Sequence, residues 1–226
     1  FLRDAKTINP RARLVGLTAT PYRLQGGLIC GPTKLLQKIA YEYSIKQAIM
    51  DGYLCPLRSR GGRAKADMSA VAIRGGEFVE AQMQAAFDQI ELVRDACREI
   101  VELTHDRKSI LVFCAGVEHA RHVAAALREM TGQEVGEVYG ETPAKERAHL
   151  IARFKGQPTQ SDDLLTQSGP LRWLVNVAVL TTGFNYPALE ALAMLRATES
   201  PGLLVQIAGR LTRICPGKDH GLFLDC

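Results

Sequence analysis

Six cysteines are scattered over 226 residues with no CxxC pair, and no two lie closer than Cys215 and Cys226. That spacing excludes a disulfide scaffold and a four-cysteine zinc site. It predicts reduced, mostly core thiols in a cytosolic protein. Aromatic residues are few, 6% with one Trp, so no row of base-stacking side chains is evident. The longest apolar stretches, residues 173–180 and 189–195, stop far short of the ~20 residues that cross a bilayer. No basic segment leading into an apolar run opens the chain, so no secretory signal is visible. The first residue is Phe, and the opening reads as a helix end running straight into a strand, as expected of an excerpt from a longer protein.

What is present is typical of a globular chain. Apolar residues make up 46% and charged residues 23%, and 28 Lys+Arg less 24 Asp+Glu leaves +4. At ~150 residues per domain the length fits one large domain or two small ones. The mild positive excess permits a polyanionic partner without requiring one.

Residues 12–19 (ARLVGLTA) read as a buried strand, stopped by Thr18-Ala19-Thr20-Pro21. Residues 24–32 are a Gly-rich loop, and 33–53 mix a helical pattern with the strand-like IAYEY. Residues 54–76 show little periodicity and carry Arg58, Arg60, Arg63 and Lys65, which predicts a hairpin or connector. Helical patterns cover 77–87 and 90–104. From Ser109 the rhythm is regular: strands over 109–114, 134–140, 172–180, 189–196 and 220–226, with helices over 118–130, 143–154 and 201–212. Thr142 is the expected N-cap of the second of these helices, with Pro143 at its first position. A polar loop is expected over 156–170. Short apolar strands alternating with helices predict an α/β fold, a parallel sheet covered on both faces.

Several segments carry possible chemistry. In QIAGRLTR (206–213), Gln206, Arg210 and Arg213 fall at i, i+4 and i+7, so a helix would present an amide and two guanidiniums on one face. Guanidiniums grip phosphate oxygens in a bidentate fork, although the same pattern also describes a solvated basic face. Gly209 would let another backbone or a ligand approach. TTGFN (181–185) is a strand-end turn in which Gly183 suits positive φ or close approach. GETPAKER (140–147) opens a helix whose free N–H groups, with Thr142, Lys145 and Arg147, could hold an anion, or could be a well-capped surface helix. His119 reads as a surface or helix-packing histidine. No metal-ligating set is evident.

Taken in order, LTATPYR (17–23), LVFCAGVEHA (111–120), VNVAVLTTGFNYP (175–187) and QIAGRLTR resemble motifs III, IV, V and VI of superfamily II helicases. YEYS, GYL, GGEF, ARFKG and ATES add a resemblance to the RadD-type bacterial DNA-repair helicases, relatives of type I restriction motor subunits. The resemblance implies a RecA-like second motor lobe over 106–226, preceded by the end of the first lobe (1–53) and a connector (54–105). It implies ATP with Mg2+, and nucleic acid, expected to be DNA, gripped through its backbone. Arg210 and Arg213 would reach the γ-phosphate with help from Gln206. Gly183, Asn185 and Gly209 would lie by the nucleotide, with Asn185 standing where the family carries Asp. Gly116, Gly140, Thr142 and Thr181 would face nucleic acid, and Thr18 and Thr20 would couple the lobes. The chain contains neither GxxxxGK[ST] nor a DExH-type acid before LTATP. Most of the Mg2+–ATP site would therefore lie upstream, and the fragment by itself is expected to be inactive. The expected parent is a cytoplasmic ATP-dependent helicase or translocase in DNA repair; a restriction motor subunit and a non-enzymatic binding lobe are the alternatives.

Overall fold

In the computed structural model, residues 7–9, 11, 13–23, 27–158, 169–181 and 183–226 are described. The centre is a six-stranded sheet built from β3 (Leu57–Gly61), β6 (Ile110–Cys114), β7 (Val135–Val138), β8 (Trp173–Asn176), β9 (Ala191–Leu195) and β10 (Gly221–Asp225). The strand order is β3-β10-β9-β6-β8-β7, and every neighbouring pair is parallel. Short paired ribbons flank it: β1 (Tyr22–Arg23) with β2 (Gly27–Leu28), and β4 (Ile73–Arg74) with β5 (Glu77–Phe78). The helices are α1 (Ile45–Met50), α2 (Glu80–Phe87), α3 (Ile90–Leu103), α4 (Val117–Thr131), α5 (Ala144–Phe154) and α6 (Pro201–Ala208).

Strand alternation splits the core in two. Ile110, Val112 and Cys114 point to one face, where Val93, Cys97 and Ile100 of α3 and Val123 and Leu127 of α4 cover them. Leu111 and Phe113 point to the other, against Phe154 of α5 and Ile207 of α6. Central strands buried on both sides need apolar residues at successive positions, and all five residues of β6 and of β9 are buried. The expected parallel sheet with helices on both faces is therefore observed.

Several expectations at the level of elements are corrected. Residues 13–18 form no strand, and Val15 and Leu17 are 86% and 97% exposed. A strand exists only by pairing, and no strand among the described residues pairs with this one. The stretch expected as a connector, 54–105, contributes to the sheet and its core. Residues 57–61 add an edge strand to the sheet, with Leu222 opposite Arg58 and Leu224 opposite Arg60, and α3, at 90–103, packs on the core. Periodicity misses β3 because all five of its residues are exposed. Residues 77–78 belong to β5, and the helix begins only at Glu80. IAYEY is irregular. Thr142 does not cap α5. Pro143 takes the N-cap position without a side-chain bond, while Thr142 Oγ1 turns back to accept the Tyr139 N–H at 2.8 Å. The loop expected over 156–170 falls largely outside the described residues.

Candidate functional site

Parallel strands deliver their loops to one edge of a sheet, and crevices at that edge are where α/β proteins bind ligands. Here residues 115–116 follow β6, 139–143 follow β7, 177–185 follow β8 and 196–200 follow β9. These are the segments that the motif reading singled out.

The turn after β8 is the most constrained. Asn176 is fully buried; its Nδ2 donates to the Val112 carbonyl at 2.9 Å. Ala178 sits at φ 55, a left-handed conformation that costs a non-glycine residue energy. Thr181 Oγ1 donates to the Ala178 carbonyl at 2.8 Å, and Gly183, at φ 72, takes the left-handed position for which a glycine was expected. Thr182 lies outside the described residues.

Arg210 and Arg213 close on this turn. The helix carrying Gln206 ends at Ala208, so the expected helix over 201–212 and its shared face at 206, 210 and 213 are not formed. The chain turns through Gly209 on bonds from the Arg210 N–H to Ile207 and from the Leu211 N–H to Ala208, 3.2 and 3.0 Å. Tertiary contacts impose this break. Thr212 accepts the Cys55 N–H at 2.7 Å, and Gly221 passes so close beneath Leu211 that an added Cβ would sit 2.7 Å from its carbonyl oxygen. The close approach expected at Gly209 is made by the chain's own Val205 carbonyl, 2.9 Å from where a Cβ would stand.

Arg210 is 6% exposed and donates to the Thr181 and Phe184 carbonyls, with its guanidinium over the Phe184 ring. Burial, then the neighbouring Arg213, pulls its pKa down. It is a brace for the turn, already engaged through both terminal nitrogens. Arg213 is half-buried and donates to Asn185 Oδ1. The one residue that departs from the helicase pattern thus faces a guanidinium. Lys218 completes the layer by donating to the Pro187 and Arg213 carbonyls, each at 3.0 Å, and burial lowers its pKa.

Gln206 points elsewhere, donating to Thr20 Oγ1 at 3.3 Å. Thr18 Oγ1 accepts the Thr20 N–H at 3.0 Å, a local hydroxyl-backbone turn. Thr20, Tyr22, Ser200, Pro201, Gly202 and Gln206 line a cleft of about 440 Å3. Gln206 and Thr20 are therefore brought together, while Arg210, Arg213, Thr181, Gly183 and Asn185 form a second group.

The expected nucleic-acid residues lie on the loops after β6 (Gly116), β7 (Gly140 and Thr142) and β8 (Thr181), with unequal exposure. Gly116 is buried beneath Gln84 of α2, whose Oε1 stands 1.8 Å from where a Cβ on Gly116 would sit. Gly140 is exposed. Arg147, expected to help bind an anion, instead donates to the carbonyls of Tyr139, Gly140 and Thr142 at 3.3, 3.0 and 3.0 Å. His119 is 1% exposed and its Nδ1 accepts the Ala115 N–H at 3.2 Å, so it is a packing residue. Burial pushes its pKa down to about 4. Sequence reasoning assigns no role to Asn176 and Ala178 within VNVAVLTTGFNYP, to Glu77 within GGEF, or to Gln84. Asn176 stands out as a polar residue inside an apolar strand, whereas nothing local marks Gln84.

Residues 91–215 match the helicase conserved C-terminal domain family, and the chain belongs to it. Within that family it is the C-terminal lobe of a superfamily II helicase, RecA-like in fold. A mitochondrial protein of Schizosaccharomyces pombe named as the ATP-dependent helicase irc3 is 33% identical over 98% of this chain. This chain spans 34% of that relative's length. A solved fragment of an HsdR subunit of a type I restriction enzyme from Vibrio vulnificus is 25% identical, with TM-score 0.60, over 83% of this chain and 35% of its own. The type ISP restriction-modification enzyme LlaBIII, solved bound to DNA, superposes with TM-score 0.55 at 16% identity over 81% of this chain and 13% of its own.

Proposed function

We propose that this chain is the second motor lobe of an ATP-dependent DNA helicase or translocase acting in DNA repair. The observation that carries the reading is the convergence of Arg213, Arg210 and the 181–185 turn at the ligand-binding edge of a parallel sheet. Arg213 is the arginine finger. Its partners are the neutral Asn185 amide and, at 3.5 Å, the Phe184 carbonyl, both of which compete weakly with a phosphate for a guanidinium. The side chain can therefore leave Asn185 when ATP, carried with Mg2+, closes the lobe against its neighbour. Bound there, Mg2+–ATP supplies the phosphoryl bond whose cleavage drives opening and closing. This chain's share of the site is Arg213 and the groups that orient it. Arg210 keeps the turn in shape, and Gln206 with Thr20 links α6 to the LTATP segment. Gly140 and Gly183, both exposed, are the parts open to a phosphate backbone. Such contacts are indifferent to sequence and sensitive to salt.

The two arginines are expected to separate in one experiment on the full-length protein. Arg213→Ala lowers kcat for DNA-stimulated ATP hydrolysis by roughly 10³-fold, the low end for arginine fingers, with melting temperature and DNA affinity unchanged. Arg210→Ala strands the buried Phe184 carbonyl and the half-buried Thr181 carbonyl and destabilises the lobe by about 3 kcal/mol. A full ATPase rate in Arg213→Ala would refute the finger assignment. A second reading, a motor subunit of a restriction system, is favoured by the similarity to the HsdR fragment. ATP-dependent cleavage of unmodified DNA by the full-length protein would establish it.

A further inference from the structure

The loop joining β9 to α6 is gripped from far away in sequence. Glu77, on the small β4–β5 ribbon, turns both carboxylate oxygens onto it. Thr198 Oγ1 donates to Oε2 and the Glu199 N–H donates to Oε1, each at 2.8 Å. Thr198 Oγ1 also accepts the Ser200 N–H at 3.1 Å, and Ser200 Oγ accepts the Leu203 N–H at 3.2 Å as the N-cap of α6. The same helix carries Gln206 to Thr20. Apolar packing holds the ribbon in place: Phe78 of β5 and Met83 and Phe87 of α2 cluster with Ala115 and Ala197.

We propose that Glu77 is a positioning residue for the motor site. Its carboxylate fixes the 198–200 loop, the loop sets the first turn of α6, and α6 sets where Gln206 stands and where the chain turns toward Arg213. This deepens the motor reading above and rests on it. The physical argument is that a carboxylate accepting two hydrogen bonds from one loop acts as a fork, and charge-assisted bonds are about twice as strong as neutral ones. Without the fork, the loop between two regular elements regains its freedom and the cap bond at Leu203 is broken part of the time. A displacement of about 1 Å at groups that orient a reaction is worth up to ~10²-fold in rate.

The test uses the full-length protein. Glu77→Ala is expected to lower kcat for DNA-stimulated ATP hydrolysis about tenfold while KM for ATP stays within about twofold. Exchange of the Leu203 and Leu204 amide hydrogens should quicken. Glu77→Gln should recover most of both losses, because its carbonyl can take the Glu199 N–H while its amide donates to Thr198 Oγ1. Thr198→Val should cost about as much as Glu77→Ala, and the double variant little more, since both remove one network. Three results would overturn the proposal: amide exchange at Leu203 and Leu204 unchanged in Glu77→Ala, Gln no better than Ala, or additive losses with Thr198→Val. Arg213→Ala run beside these variants keeps the two claims apart. If it retains full activity the motor reading fails, and the amide-exchange readout still decides whether Glu77 positions α6.

Discussion

Single residues at the site change meaning once their partners are known. Arg210 and Arg213 look alike in QIAGRLTR, yet one is a buried brace on two carbonyls and the other is half-buried against an amide. His119 shows how far burial alone can shift chemistry. Its imidazole is sealed under Phe87, 5.8 Å between ring centroids. Desolvation is the main cause of the drop in its pKa to about 4; Asp88 opposes that drop and His122 adds to it. The hydrogen bond agrees, because a proton on Nδ1 would confront the Ala115 N–H. The folded pKa lies below the unfolded value near 6.5, so the unfolded chain binds the proton first as pH falls. Stability from neutral His119 is complete above pH 6.5 and drains away between 6.5 and about 4. Urea unfolding should show the lobe losing roughly 2 kcal/mol more between pH 7 and pH 4.5 than a His119→Gln variant does. Parallel losses in the two proteins would mean that other groups govern the acid sensitivity.

At the scale of elements, legibility followed burial. Strands β6 and β9 are apolar at every position, and the residues 109–114 and 189–196 expected for them bracket what is observed. β3 could not be read because an exposed edge strand has no buried face to imprint a period of two; its Arg58 and Arg60 resembled loop charges. The pattern over 201–212 predicts a longer helix than the Pro201–Ala208 that forms. The i, i+4, i+7 spacing is genuine, but the pairing of Cys55 with Thr212 and the close pass of Gly221 under Leu211 outweigh one more turn of helix. The edge strand has a consequence of its own. Charged side chains on an unpaired edge discourage pairing with another chain. Replacing Arg58 and Arg60 together by Val should leave DNA affinity unchanged and promote self-association, visible as concentration-dependent elution in size-exclusion chromatography. A weakened DNA affinity instead would make these arginines phosphate contacts.

Across the whole molecule, the order β3-β10-β9-β6-β8-β7 explains why the loops after β6, β7, β8 and β9 share one edge, each following a strand of the same direction, whereas QIAGRLTR reaches that edge from α6 and LTATPYR through the Gln206–Thr20 contact. The motif order in the sequence already implied this gathering, but not that α2 would lie across Gly116, since nothing local marks Gln84 as its cover. Burial is also unequal along the chain. Residues 90–158 include most of the helical core, whereas 13–18 expose Val15 and Leu17 almost fully. The anchor between these regimes is Cys55, whose N–H reaches Thr212 at 2.7 Å and whose Sγ reaches the Leu211 carbonyl at 3.2 Å, with Ala48 of α1 6% exposed beside it. Segments with few buried contacts open at low free energy and are cut first. Limited trypsin treatment of this 226-residue chain should therefore cleave early after Arg13 and Lys38, both exposed. The surviving core should start near α1 and keep a cooperative melt, because β3, β10 and the 209–213 turn all lie on the protected side of Cys55. Early cleavage within α3 or α4, or loss of the cooperative transition once the first forty or so residues are gone, would show instead that the LTATP segment and its Gln206–Thr20 contact help hold the lobe together.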